Sequence, residues 1–484
     1  MRVDCSQHST NLTFKLEPSL GENASESGPK LARFEMTVEV PADFTLDTIH
    51  PDLLGLTALL VVQPWVAGTL ELSHPVSQTF ADAVSEQMGI AVSPISATQA
   101  VRVAPENSRP ALAFSGGVDS VAVAAVMPDE TIYYFNDRPE LAGAKKSMYD
   151  KSAAIYACDG MEELGRTVRR VNCDVEHVRA PVGVPVDYSN AIPAVVYADI
   201  DGIGSVSWGT IAESAYRIGT RHYIDYSTRP IFTRWARVFE AAGLDFFNPL
   251  AGVSEVGTSE IVRHSPGGQL AQSCIRGVPG APCARCWKCI RKTLLDSSLS
   301  GNWPTEAWVA NSLAAPEPMR YLTNLPIKHE CVLTYAMSNY QGEIPQLQLL
   351  SRRVRGDSMD VSWLKRYYGP ALDAIPARYR DGVVDKLNEY LAPMSEADER
   401  SFEAWSVEIV ETDPQFSALS NAFENSVKVA VLQAELEKCT KRGAAVENDL
   451  RRLREQPTTS WGRFKRSPVG RKIAGVKRKL GTRK

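Results

Sequence analysis

Apolar positions are spaced in several different ways along this chain, and each spacing predicts a different element. RFEMTVEV (33–40) alternates with period two, the mark of a half-buried strand. LLGLTALLVVQPWVAGTL (53–70) is apolar almost throughout, but Thr57, Gln63, Pro64 and two glycines interrupt it. That predicts core strand or helix rather than a membrane span. SHPVSQTFADAVSEQMG (73–89) has helical spacing, and the opening MRVDCSQHSTNLTFKLEP is polar enough to be a tail. Residues 1–108 are therefore expected to form an α+β appendage.

From 109 to 296 short apolar runs alternate with helical segments: ALAF, VDSVAVAAVM, TIYYF, AKKSMYDKSAAIYA, TVRRVNC, AIPAVVYADI and IGSVSWG. Such alternation implies parallel strands joined by right-handed crossovers, hence a doubly wound parallel α/β sheet. Ligands on such a sheet bind beyond the carboxyl ends of its strands, in the loops after ALAF, TIYYF and VSWG. Residues 297–425 are rich in Trp, Tyr and Leu, and VSWLKRYYGPALDAI and DGVVDKLNEYLAPM suit short helices. In 426–456 Val429, Leu432, Leu436, Cys439, Gly443, Val446, Leu450 and Leu453 recur at alternating steps of three and four, a coiled-coil seam that Gly443 weakens. Pro457 ends it, and the tail 457–484 sets Ile473, Val476 and Leu480 at helical spacing among lysines and arginines.

A hydrophobic fraction of 44% and a charged fraction of 23% are those of a globular protein, and 484 residues imply two to four domains. The net charge of −4 conceals ten Lys or Arg and no acid in residues 462–484. Charged partners must therefore be argued region by region: the tail suits an anionic membrane surface, an acidic protein or nucleic acid, or is simply solvated. No signal peptide opens the chain, so a cytoplasmic protein is expected, membrane-peripheral if the tail binds lipid. Nine cysteines in that compartment argue against a disulfide framework and for reading them by spacing.

FSGGVDSVAVAA (114–125) runs an apolar strand into two glycines and then a helix. Backbone N–H groups and the positive end of a helix dipole converge at such a turn, which makes an anion site. Gly116 and Gly117 allow close approach of backbone to phosphate, Ser115 and Ser120 add hydroxyls, and Val118 and Asp119 begin the helix. No lysine follows, so this is not the common mononucleotide loop GxxxxGK[ST]. An acid at Asp119 beside phosphate needs a divalent cation. A plain glycine turn with a dipole-stabilised Asp119 accounts for SGG alone.

Downstream, Cys274, Cys283, Cys286 and Cys289 are spaced C-x8-C-x2-C-x2-C. Four thiolates in that pattern can close a tetrahedron around structural zinc; an iron–sulfur cluster is the other four-cysteine option.

The hexapeptide SGGVDS resembles the SGGxDS signature of the PP-loop ATP pyrophosphatases. With the cysteine spacing it is similar, over about residues 110–296, to the 7-cyano-7-deazaguanine synthase family. Tyr133 to Asp137 at the end of the second strand, Asn190 before AIPAVVYADIDG, and Asn248-Pro249-Leu250 ahead of Thr258-Ser259-Glu260-Ile261-Val262 align with it in order. In that last segment Thr258 is expected to cap a helix, with Glu260 in its first turn. The chain departs from the family around VPVDYSNAI and TIAESAYRIGTRHYIDYSTRP, so the ATP half carries over better than the substrate half.

The resemblance implies an adenine nucleotide alpha hydrolase-like fold and an enzyme that adenylates a substrate carboxylate, releasing pyrophosphate and AMP. ATP would take its β and γ phosphates into 115–120, with Ser115 and Asp119 at the reacting centre. Asp119 would help hold Mg²⁺, Phe135 and Asn190 would line the nucleotide site, and Zn²⁺ would sit on the four cysteines as scaffold. Arg217, Arg221, His222, Arg229 and Arg234 are candidates to neutralise phosphate, and Asp187 and Tyr188 stand where a substrate loop is expected. Two other readings remain: RNA thiolation, which other PP-loop proteins perform, and an assembly module that homo-oligomerises through the coiled coil and is tethered by its tail.

Overall fold

The computed structural model describes residues 1–455 apart from 20, 21, 23–27, 141–149 and 220, together with residue 469. The basic tail, apart from residue 469, lies outside the described residues, as do its expected partners. The architecture is mixed α/β with parallel pairing in its sheets and many helices.

The amino terminus is not a tail. β1 (Arg2–His8) and β2 (Asn11–Glu17) form an antiparallel hairpin, because Leu12, Phe14 and Leu16 alternate with polar residues and turn to one buried face. The short β3 (Lys30–Leu31) follows, then β4 (Glu35–Glu39), which pairs with β2 where period-two alternation predicts a strand. α1 (Pro51–Val62) is the apolar run, buried along its length from Asp52 to Val62. It lies against β5 (Thr69–Ser77), so SHPVS is strand, and the helix α2 (Gln78–Met88) starts only after the Ser77 cap. With β6 (Ala91–Ser96) the first sheet has the order β4-β2-β1-β5-β6.

A second sheet is built from β7 (Arg109–Phe114), α3 (Val118–Val126), β8 (Ile132–Asp137), α4 (Ser152–Glu163), β9 (Thr167–Asn172), the two-residue β10 (Arg179–Ala180), α5 (Ile192–Val196), β11 (Ile203–Ser207), α6 (Ala212–Ala215), α7 (Pro230–Ala241) and β12 (Asp245–Phe247). β10 pairs with β3 instead; the other five strands are all parallel, in the order β12-β11-β7-β8-β9. Ala111, Ile132 and Tyr134 face α5 and α7 on one side, while Leu112, Phe114, Tyr133 and Phe135 face α3, α4 and α8 (Glu255–His264) on the other. Burial on both faces is why these strands are continuous apolar runs rather than alternating ones.

The first core does not stop at residue 108. α1 also packs on α5 and α7, and one apolar cluster joins the first sheet to one face of the second. α9 (Trp287–Ser300) leads into α10 (Glu306–Leu313), α11 (Pro316–Thr323), α12 (Glu330–Ser338), α13 (Pro345–Arg353), α14 (Ala377–Tyr390), α15 (Glu396–Glu403) and α16 (Glu408–Thr412). VSWLKRYYGPALDAI forms two 3₁₀ turns, 362–365 and 369–374, instead of α-helix. α17 (Pro414–Glu455) then runs unbroken for 42 residues across the boundary expected near 425. Among the described residues no helix is long and apolar enough to cross a membrane.

Candidate functional site

β7 delivers the chain into Ser115 at the carboxyl edge of the second sheet, and Gly116 then takes a positive φ of 70°. Glycine is needed there twice over, because a Cβ would also meet Ala157 Cβ at 2.9 Å. Gly117 is the extended N-cap of α3. The two serines brace the turn: the Ser115 amide donates to Ser120 Oγ (3.3 Å), which donates to the Gly117 carbonyl (3.0 Å). The Val118 amide is taken by Ser273 Oγ at 3.3 Å. The next first-turn amides have no acceptor within the helix and point, with its dipole, beyond the sheet edge.

This turn opens on a cleft of about 450 Å³. Ser115, Gly117, Asp119, Ser120, Phe135 and Asn190 all line it, from the ends of β7 and β8 and the turn ahead of α5. Gly116 and Val118 belong to the turn but not to the wall. Trp208 and Gly209 after β11 close one side and Gln272 to Ile275 another. Beside the Arg138–Glu176 ion pair, the lining atoms Asn136 Oδ1 and Trp208 Nε1 are buried without a hydrogen-bond partner among the described residues. A polar ligand that reached both would satisfy them. Asp187 lines the cleft, but Tyr188 turns away into an aromatic cluster with Trp208, Trp235 and Phe246.

The cations differ from those expected. Arg217, Arg221, His222, Arg229 and Arg234 are not among the lining residues; Arg229, for one, donates to the Ala215 carbonyl (2.6 Å). Positive charge comes from Lys288, from Arg138 paired with Glu176, and from Lys292 beneath the turn. Lys288 and Lys292 are one turn apart on α9, so the i,i+4 spacing in WKCIRK was the available sequence signal.

Asp119 is positioned from below: Thr258 Oγ1 donates to its Oδ1 at 3.2 Å and Lys292 Nζ lies 3.7 Å from the same atom. Thr258 is inside α8 and does not cap it, since Ser254 accepts from the Val256 and Gly257 amides; Glu260 accordingly sits mid-helix. Lys292 also reaches Glu255 Oε1 (3.2 Å), and Arg291 Nε donates to both oxygens of Glu255 (3.0 and 2.8 Å). Burial alone would raise the Glu255 carboxyl, but Arg291 and Lys292 outweigh it and hold it well below the usual carboxylate range. Glu213 accepts the Glu255 amide (2.9 Å) and forms no ion pair among the described residues, so burial, then the Glu255 charge, push it up to about 8. With Glu213 protonated, two carboxylates and two cations balance under the turn. None of Glu213, Glu255, Arg291 or Lys292 was singled out by sequence reasoning, because their meeting depends on α6, α8 and α9 converging.

The four cysteines do converge. Their Sγ atoms all lie within 4.8 Å of one another, with Cys283 to Cys289 at 3.8 Å and Cys286 to Cys289 at 3.4 Å. Sulfurs at about 2.3 Å from a tetrahedral zinc are about 3.8 Å apart, so the donor set fits that ion. The Cys283 amide donates to Cys274 Sγ (3.4 Å), Cys289 N–H donates to Cys286 Sγ (3.5 Å), and Cys286 caps α9. Four thiolates leave no open coordination position, so a metal held here would be a scaffold. Gln272 ties the knuckle together: its side chain donates to the Cys274 and Gly277 carbonyls and accepts the Gly280 amide.

Residues 234–406 match the model of a family of unknown function (DUF6395), a span running from α7 through the cysteine cluster to α15. No curated protein and no solved structure matches the chain.

Proposed function

We propose that the chain is an ATP-dependent enzyme of the PP-loop type that adenylates a substrate carboxylate and releases pyrophosphate. The observation that carries this reading is the convergence of Ser115, Gly117, Asp119, Ser120, Phe135 and Asn190 on one cleft beyond the carboxyl ends of parallel strands. The strand order supports a doubly wound, adenine nucleotide alpha hydrolase-like sheet. β8 and β9 extend to one side of β7 and β11 and β12 to the other, so the order reverses where the cleft opens.

On this reading the β and γ phosphates of ATP lie against the first-turn amides of α3, with Lys288 and Arg138 supplying positive charge at the cleft wall. Asp119 contributes to a Mg²⁺ site, held in place by Thr258 and Lys292. The substrate carboxylate oxygen attacks the α phosphorus, the bond to the pyrophosphate oxygen breaks, and a nitrogen nucleophile then displaces AMP from the acyl adenylate. Catalysis of this kind rests on positioning and charge neutralisation and needs no covalent nucleophile from the protein. The packed four-cysteine cluster favours this over thiolation, which needs a reactive cysteine pair or a labile cluster.

The test is to incubate the purified protein with ATP, Mg²⁺ and a panel of carboxylates that includes 7-carboxy-7-deazaguanine, and to identify the nucleotide products. AMP with pyrophosphate is expected. ADP with phosphate, or ATP bound without turnover on any carboxylate, overturns the reading.

A further inference from the structure

α17 has two apolar faces, and the protein's own body covers one of them. Phe416, Ser420, Phe423 and Val427 are buried at steps of four, three and four, on the side that packs against α10, α11 and α13. Val429 follows Val427 by two residues, about 200° around the helix at 3.6 residues per turn. The stripe it starts therefore faces away from the body. Leu432 (64% exposed), Leu436 (68%) and Val446 (56%) continue it, and residues 435–452 are exposed at every position. A helix this long without tertiary contacts is marginal in water, whereas a heptad stripe is stabilised by a partner helix.

The charges beside the stripe say which partner and which way round. With Val429 at position a, the g positions are Lys428, Glu435, Arg442 and Asp449, and e includes Gln433, Thr440 and Glu447. In a parallel, in-register pair each g faces the following e of the other chain. Arg442 then meets Glu447 of the second copy twice over by symmetry, while Lys428 and Glu435 face the neutral Gln433 and Thr440. In an antiparallel pair with the same layers aligned, g faces g, so Glu435 meets Asp449 twice and Arg442 meets Arg442. The parallel pairing is attractive and the antiparallel one repulsive.

We propose that a second copy of this chain covers the stripe, residues 429–450 pairing as a parallel, in-register two-stranded coiled coil with the two Cys439 thiols facing each other on one layer. Cys439 is exposed in the single chain and occupies position d. Gly443 on the next layer carries no side chain, so the middle of the seam is narrow and lets the backbones approach.

The test uses the full chain. Light scattering of the reduced protein should give twice the 53.1 kDa of one chain, and Leu436→Glu should halve that mass without changing the melting temperature of the body. A short bismaleimide should join wild-type chains, and Cys439→Ser should abolish the crosslinked band. Arg442→Glu should weaken the dimer at least tenfold, and adding Glu447→Arg should restore it, which an antiparallel pair would not do. A monomeric mass at tens of micromolar, a mass of three or four chains, or a dimer that does not crosslink through Cys439 overturns the proposal.

Discussion

The Gln272 amide donates to the Gly116 carbonyl at 2.9 Å. The loop that opens the cysteine knuckle thus rests on the glycine turn at the end of β7, and Ser273, the next residue, binds the first amide of α3. The cysteine cluster and the glycine turn are two parts of one structure.

Metal removal should therefore reach the cleft. Cys286→Ser is expected to lower zinc from about one per chain to well under half by elemental analysis and to lower the melting temperature. The structural contribution of such sites is large, on the order of 10 kcal/mol in small zinc domains, though a larger core lessens the dependence. Hydrogen exchange should rise at 115–118 as well as at 272–289. Protection unchanged at the glycine turn would contradict the mechanical link.

Gly116→Ala combines a left-handed backbone with a Cβ 2.9 Å from Ala157 Cβ. The conformation alone costs about 1–2 kcal/mol for a residue with a side chain. The expected outcome is a lower unfolding free energy by at least that amount and weaker binding of a fluorescent ATP analogue, whereas Gly382→Ala, in the open on α14, should lower neither.

Asp119→Asn keeps the shape of the side chain and removes its charge. If Asp119 helps hold Mg²⁺, the variant should lose at least tenfold in Mg²⁺-dependent nucleotide affinity by calorimetry while melting within a few degrees of wild type. Lys292→Met should act differently: it leaves Asp119 and Glu255 short of a cation and is expected to lower stability by about 1–3 kcal/mol, since a buried charge loses its partner.

The buried cluster also predicts a pH dependence. Glu213 is raised from 4.5 to about 8, so the stability it contributes is complete below about 4.5 and is lost as pH rises through 8. His329, whose Nδ1 lies 3.6 Å from Glu255 Oε2, is lowered from 6.5 to about 3 by burial and by Arg291, so its contribution is present above 6.5 and lost as pH falls through 3. The two slopes oppose each other from 4.5 to 6.5, and above 6.5 the Glu213 slope is the one of the two that remains. Thermal stability should fall between about pH 6.5 and 8, by up to about 1.4 kcal/mol per pH unit, and Glu213→Gln should flatten that fall.

Local patterns determined much of this protein. Continuous apolar runs marked β7, β8 and β11 because both faces of those strands are covered, and β4 showed its period of two. The SGGVDS turn was legible because a strand, two glycines and a helix start are consecutive in the chain. The cysteine cluster was legible because its four ligands lie within sixteen residues, close enough for spacing to imply geometry. Tertiary structure decided what depends on distant elements meeting. The opening hairpin was hidden because polar residues cover its solvent face, and its stability comes from packing that the local sequence does not contain. The cations of the cleft lie on α9 and beyond β8, not in the arginine-rich stretch 217–234, because the cysteine knuckle turns α9 under the glycine turn. Glu213, Glu255 and Lys292 acquire their roles only there, where burial makes each charge depend on a partner tens of residues away.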